Sequence, residues 1–340
     1  MPRRMFQISA VLLTAALLMA LQAWQRYVQP HRSSLEPTTL YEEEGSFEAE
    51  PGKKRDYSLF LPIDANAGVP EGRSAQQQWP ALLVIHGFQR TRKNHLGLGR
   101  QLASRFGMVV LAIDLPPLLR PSLVGRAERA RDNCIREAEA FTQWLRRRPY
   151  VDAKKVIVSG FSAGGAVAFE AAAKLQAKGT PPLALMLLDA VPWPRTALAV
   201  PDFGHLPAGV LLLETEPSPF NLKCAFSREI LPKVPAAAVV RIPGSIHVDA
   251  ELVGSVSVAA GENKSWSSGC EPRDGRLAKR LWGQARLEKT ATFQMLFESF
   301  LRDALHVNAR RGAAAIEEGS ASRYFCRMLA DLQLRVVRSR

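Results

Sequence analysis

The chain has 340 residues, 47% of them hydrophobic and 23% charged, enough to bury one large core or two small ones. That composition excludes a mainly disordered, collagen-like or polytopic membrane protein. Its 45 Lys and Arg against 32 Asp and Glu leave a net charge of +13. The basic residues are dispersed in short clusters such as Arg146-Arg147-Arg148, with no RNA-binding fingerprint and no zinc-finger spacing of Cys and His. The surplus therefore reads as a solvated basic surface and not as a nucleic-acid face.

At the N-terminus Arg3 and Arg4 precede an uncharged, Leu- and Ala-rich stretch from Met5 to Trp24, with a small-residue exit near Leu21-Gln22-Ala23. This is the layout of a secretory signal. Uncleaved, the same stretch is just long enough to span a bilayer and would anchor the chain to the membrane. Residues 1–24 are thus expected to be a signal peptide or an N-terminal membrane anchor, and the folded part to be secreted or periplasmic. Residues 25–50 are polar, with Glu42-Glu43-Glu44, and read as a linker. The folded domain is expected over 51–310 and a basic C-terminal extension over 311–340.

Short β-type runs follow at Tyr57 to Leu61, Ala81 to Ile85, Met108 to Ile113, Val156 to Ser159, Leu183 to Leu188, Val210 to Leu213 and Ala238 to Ile242. Between most of them lie segments of helical periodicity at Asn94 to Arg105, Gly125 to Arg147 and Ala163 to Ala177, with a last one at Thr290 to Leu305. Strands alternating with helices predict an α/β fold with a mostly parallel sheet covered by helices on both faces. Two long apolar connections, Leu115 to Val124 and Ala190 to Gly209, follow predicted strands and so fall at the carboxyl edge of the sheet, where such folds bind ligands. The polar, basic stretch Gly254 to Glu288 reads as a surface excursion.

No two of Cys134, Cys224, Cys270 and Cys326 are two or three residues apart, so neither a zinc site nor a redox motif is supported, and no metal is expected. Cys134 lies on an apolar helical stripe with Ala127, Ala130, Ala138, Phe141 and Leu145 and reads as a buried thiol. In an exported chain Cys224 and Cys270, which flank His247, are expected to form a disulfide.

The motif that carries chemistry is Gly160-Phe161-Ser162-Ala163-Gly164, directly after the run Val156-Ile157-Val158-Ser159 and directly before a helix. A strand, sharp turn and helix is the context that a GxSxG nucleophile elbow requires. A serine hydroxyl is a poor nucleophile until a base takes its proton. Among six histidines, His247, in Pro243-Gly244-Ser245-Ile246-His247 just past the last predicted strand, is placed to do so. The oxyanion donors are expected to be the amides of Ala163, next to the nucleophile, and of Phe88, in the loop His86-Gly87-Phe88 after an early strand. His86 itself reads as a loop-packing residue. For the acid that orients His247, Asp189 and Glu214 or Glu216 follow predicted strands. A shorter Asp at a strand end is held more rigidly, so Asp189 is favoured, with Glu216 the alternative.

Taken together, VIHGF (84–88), VSGFSAGG (158–165), LMLLDAVPW (185–193) and IPGSIHVD (242–249) resemble the α/β-hydrolases of the chlorophyllase group and the related bacterial cutinase-like polyester hydrolases. The resemblance covers residues 57 to 305 and implies an eight-stranded α/β-hydrolase sheet and hydrolysis of carboxylic esters without a cofactor. Chlorophyllases take their acid from the earlier strand, where Asp189 lies. The cutinase-like enzymes take it from the later one, where Glu216 matches. The chain departs from both at Phe161, where they carry a polar or indole side chain, and at Ala163, where they carry Arg or Met. Leu118, Leu119, Phe161, Trp193 and Phe203 are expected to line the site and to favour a lipophilic small-molecule or polymeric ester. A non-catalytic binding protein for lipid or cell envelope, and acyl transfer on the same three side chains, are the rival readings.

Overall fold

The computed structural model describes residues 39–63, 78–88, 90–116, 124–193, 200, 206–234, 237–252 and 286–306. Its strands are β1 (Thr39–Glu50), β2 (Lys53–Ile63), β3 (Trp79–Ile85), β4 (Val109–Ile113), β5 (Val151–Phe161), β6 (Leu185–Leu188), β7 (Val210–Glu214) and β8 (Ala237–Arg241). Its helices are α1 (Leu96–Phe106), α2 (Val124–Arg146), α3 (Ala163–Ala177) and α4 (Leu287–His306). Among the described residues, no helix is long and apolar enough to cross a membrane. The expected leader and C-terminal extension lie outside the described residues.

The strands form one eight-stranded sheet in the order β1-β2-β4-β3-β5-β6-β7-β8. β1 pairs antiparallel with β2, and β2 with β4; every pairing from β4 to β8 is parallel. The central strands are continuous aliphatic runs because both faces are covered: Val109 to Ile113 are all 0% exposed. Alternation along β2 sends Leu59 and Leu61 into the core shared with Phe141 and Phe169 of α2 and α3. Phe60 points the other way, against Gly99 of α1. The side-chain bond between Gln101 and Glu298 places α4 beside α1 on that second face.

The expected linker ends earlier than residue 50. Thr39–Glu50 is a strand whose Tyr41, Glu43, Gly45 and Phe47 face inward, half-buried, while Glu42, Glu44, Ser46 and Glu48 face solvent. Cys134 is buried on α2 as expected, and burial pushes its thiol up to about 12. Cys224 is also a buried free thiol, its Sγ against Thr215 O and Asn221 Nδ2 at 3.6 Å. The expected Cys224–Cys270 bond is therefore not made here, because the thiol is turned into the packed loop after β7. Cys270 lies outside the described residues.

Candidate active site

β5 ends at Phe161 and α3 begins at Ala163, so Ser162 alone makes the turn between them, at φ +54° and ψ −124°. A non-glycine residue in that region is strained, and the surroundings hold it there. Its amide donates to Leu188 O at 2.9 Å, and its carbonyl accepts from Gly165 N at 2.9 Å and Val191 N at 3.0 Å. The flanking glycines are required by close approach: a Cβ on Gly160 would collide with the Gly164 carbonyl, and one on Gly164 with the His86 carbonyl.

The Ser162 Oγ lies 2.9 Å from His247 Nε2, and His247 Nδ1 lies 2.6 Å from Asp189 Oδ2. Ser162, His247 and Asp189 are 8%, 4% and 1% exposed, so this chain of bonds is shielded from water. Asp189 leaves β6 at φ +43°, a second strained residue, which aims its carboxylate across the end of β7. There the Thr215 amide donates to Oδ1 at 2.9 Å, the Thr215 hydroxyl to Oδ2 at 2.7 Å and Asn221 Nδ2 to Oδ1 at 3.2 Å. With its oxygens so occupied the carboxylate presents one fixed edge to His247, which sets the tautomer that leaves Nε2 free to accept from Ser162.

His247 opens a short 3₁₀ turn, His247–Glu251, after β8. Asp249 of that turn accepts from Ile246 N at 2.8 Å and from Arg286 N at 2.7 Å, tying the turn to the start of α4. Beside the imidazole, the Phe161 ring lies 4.9 Å away and the Phe220 ring 6.2 Å away, centroid to centroid.

The His86-Gly87-Phe88 loop packs directly on the elbow, with the position of a Cβ on Gly87 only 3.1 Å from Ser162 Cβ. His86 is buried; its Nδ1–H donates to Gly87 O at 2.8 Å and its Nε2 accepts from Leu115 N at 3.1 Å. Burial holds its pKa below the ordinary histidine value, and both ring nitrogens are spent on the backbone, so His86 braces the loop. The Ala163 amide is the first of a helix and has no intrahelical acceptor. Among the described residues neither it nor the Phe88 amide donates a hydrogen bond. Unspent amides of this kind can stabilise negative charge on an oxygen bound near them.

Of the other expected residues, Glu216 is exposed and spends a carboxylate oxygen on the Gly244 amide at 3.1 Å. Glu214 is buried against Ser227 and Arg241. Neither is hydrogen-bonded to His247. Phe161 is 3% exposed, with its ring against the His247 imidazole. Trp193 is half-buried against the core. Leu118, Leu119 and Phe203 lie outside the described residues. Thr215, Asn221 and Phe220 were not expected: Thr215 and Asn221 meet Asp189 only when β6 and β7 are paired in register, and the sole signal in the sequence was their place just after a strand. Among the described residues, no cluster of His, Cys, Asp and Glu could hold a metal.

The solved structure of a dienelactone hydrolase-like promiscuous phosphotriesterase, P91, from metagenomic libraries superposes with a TM-score of 0.51 at 17% identity, over 79% of this chain and 98% of that one. The fold is that of the α/β-hydrolases. Two further structures are a bacterial heroin esterase, at 16% identity, TM-score 0.46, over 70% of this chain and 85% of that one, and a dienelactone hydrolase from Anabaena variabilis, at 22% identity, TM-score 0.42, over 61% and 88%. The Thioesterase domain family matches residues 142–199, a stretch that starts near the end of α2 and takes in the elbow and Asp189. No curated protein sequence matches the chain.

Proposed function

We propose that the protein is a serine hydrolase of carboxylic esters, acting through an acyl-enzyme on Ser162. The observation that carries this is the buried chain of bonds from Ser162 through His247 to Asp189, with the His86-Gly87-Phe88 loop packed against Ser162. Ser162 Oγ adds to the ester carbonyl as His247 Nε2 takes its proton, and the oxyanion rests on the Phe88 and Ala163 amides. Collapse expels the alcohol, which takes the proton from His247. Water, deprotonated by the same imidazole, then adds to the acyl group and releases the acid and Ser162. Phe220, 37% exposed beside His247, supports a lipophilic alcohol or acyl part. The resemblance to the chlorophyllase group is supported by an acid at the end of β6 and not β7. The leader-like residues 1–24 support a secreted, periplasmic or membrane-anchored location.

The match to the Thioesterase domain family supports a second reading, in which the acyl donor is a thioester and the leaving group a thiolate. The purified chain should be assayed on p-nitrophenyl esters and acyl thioesters of graded chain length. Hydrolysis of either series by the wild type, lost by ~10⁴-fold or more in Ser162→Ala and in His247→Ala, is expected. Retention of a tenth of wild-type turnover by Ser162→Ala would sink the mechanism, and the ratio of the two series assigns the donor.

A further inference from the structure

The loop that carries Phe88 and the turn that carries His247 come from opposite ends of the folded chain, and one ion pair joins them. Arg90, two residues past Phe88, donates through Nε to Glu251 Oε1 at 2.7 Å, and Glu251 is the last residue of the His247 turn. The side chains are 15% and 2% exposed. We infer that Arg90 and Glu251 are positioning residues: the pair clamps the oxyanion amide at a set distance from the base and keeps the charge beside the imidazole balanced. The inference rests on the hydrolase reading above.

Three features favour this over a purely structural pair. The Arg90 amide donates to Gly87 O at 3.2 Å, closing the turn that presents Phe88, so a shift of Arg90 displaces Phe88. His86 ties the other side of the loop to Leu115 after β4, and the Arg90–Glu251 contact is the tie to the base. The Glu251 carboxyl is fully enclosed, and burial raises its pKa overall, against the opposing pull of Arg90 and His247. A carboxylate in that position is maintained by its guanidinium, and removing either partner leaves a buried charge unbalanced beside the site. Among the described residues, Asp189 bonds Nδ1, Asp249 is paired with Arg286, Glu216 is bound to the Gly244 amide, and His86 is spent on Gly87 and Leu115 of the backbone.

The test uses Glu251→Gln, Arg90→Lys and the double variant Arg90→Met/Glu251→Gln in the full chain, with kcat and KM on the best ester at pH 5 to 9. In Glu251→Gln the guanidinium loses its counter-charge and opposes protonation of the imidazole, so the acid limb of kcat/KM moves to lower pH by ~0.5 unit or more. Misplacement of the oxyanion amide lowers kcat by ~10- to 100-fold with little change in KM. The double variant, with no charge left, returns the limb to its wild-type position but keeps the loss in kcat. Arg90→Lys keeps the limb and loses kcat by ~5-fold or more, since an ammonium does not reproduce the Nε contact. Wild-type kcat and an unmoved limb in Glu251→Gln overturn the clamp, and so does a lower unfolding temperature with kcat and limb unchanged. If Glu251→Gln does not fold, Arg90→Lys decides alone, and full kcat there overturns it. A wild type without activity overturns the hydrolase reading together with the clamp; an active wild type with indifferent variants overturns the clamp only.

Discussion

Asp189 and Glu216 both stand just past a strand that ends beside His247, and chain order cannot separate them. The separation is geometric: Asp189 holds the imidazole at 2.6 Å, and Glu216 is exposed and bound to the Gly244 amide. Asp189→Asn should therefore cut turnover by ~10³- to 10⁴-fold through the wrong tautomer and a less stable imidazolium, while Glu216→Gln should change it by less than ~10-fold. Steady-state kinetics on the two purified variants check this, and a reversed order moves the acid to β7. What the sequence could supply was the short list and the preference for a rigid Asp. Thr215 and Asn221, which make Asp189 rigid, were hidden because their contacts exist only across paired strands. His95 offers a pH test of stability. It is fully enclosed, and burial, with His86 and Arg90 nearby, lowers its pKa to about 3. The unfolded chain binds a proton there near the ordinary 6.5 and the folded chain does not, so this contribution is complete above that pH and is lost as pH falls toward 3. Buried carboxyls with raised pKa, such as Glu251 and Glu298, act with the opposite sign. The comparison is therefore between chains: from pH 7 to pH 5, His95→Leu should lose less stability to urea than the wild type, and equal losses would remove His95 from the account.

The elbow is readable from sequence because one strained residue between a strand and a helix demands glycine where backbones touch. Gly164 lies against the carbonyls of Ile85 and His86 at the end of β3, so a methyl group there must push the elbow away from the His86-Gly87-Phe88 loop. Gly164→Ala should lose ~1 to 3 kcal/mol of stability and most of its activity, because overpacking against backbone has no side chain to yield. Urea unfolding beside an ester assay tests this, and wild-type values for both would mean the loop moves freely. The turn after β7 was not readable in the same way. Leu222, Lys223 and Cys224 have φ of +51°, +56° and +59°, three left-handed residues in a row with no glycine to announce them. The strain is held by Asn221, whose Oδ1 accepts from Ser218 N at 2.9 Å and from Cys224 N at 3.1 Å while its Nδ2 reaches Asp189. Asn221→Ala releases the turn and removes a donor from Asp189 together. It should lower kcat by ~10-fold or more with KM little changed, and an unaltered kcat would show that Thr215 alone positions the acid.

Across the whole sheet, β2 to β8 follow the hydrophobic runs over the stretches buried on both faces, where burial writes a continuous apolar signature; the exposed starts of β2 and β5, with Lys54, Asp56, Lys154 and Lys155, lie outside those runs. β1 escapes that rule. Among the described strands it lies at the edge and pairs with β2 alone; it is rich in Glu, a residue depleted from strands, and its inward face mixes Tyr41 and Phe47 with Glu43 and Gly45. Its stability comes from specific contacts. Phe47 packs 5.0 Å from Phe141 and 5.6 Å from Trp144, Glu43 accepts from the Tyr57 hydroxyl, Glu44 from Ser58 and Arg92, and Glu42 from Arg100. Its acidic outer edge also guards β2, whose Leu59 and Leu61 are 1% and 2% exposed, from pairing with another chain. A chain begun at Thr39 should therefore fold with its edge intact. A chain begun at Lys53 should unfold ~5 °C lower or more and associate at raised concentration. Its turnover per folded molecule should stay near that of the longer chain, since Ser162, His247 and Asp189 follow β5, β8 and β6, with β2, β4 and β3 between them and the lost edge. Thermal unfolding, size-exclusion chromatography and active-site titration of the two chains measure these separately. Equal unfolding temperatures and a monomeric shorter chain would show that β1 is dispensable, and a loss of turnover without loss of folded protein would show that the edge of the sheet reaches the site.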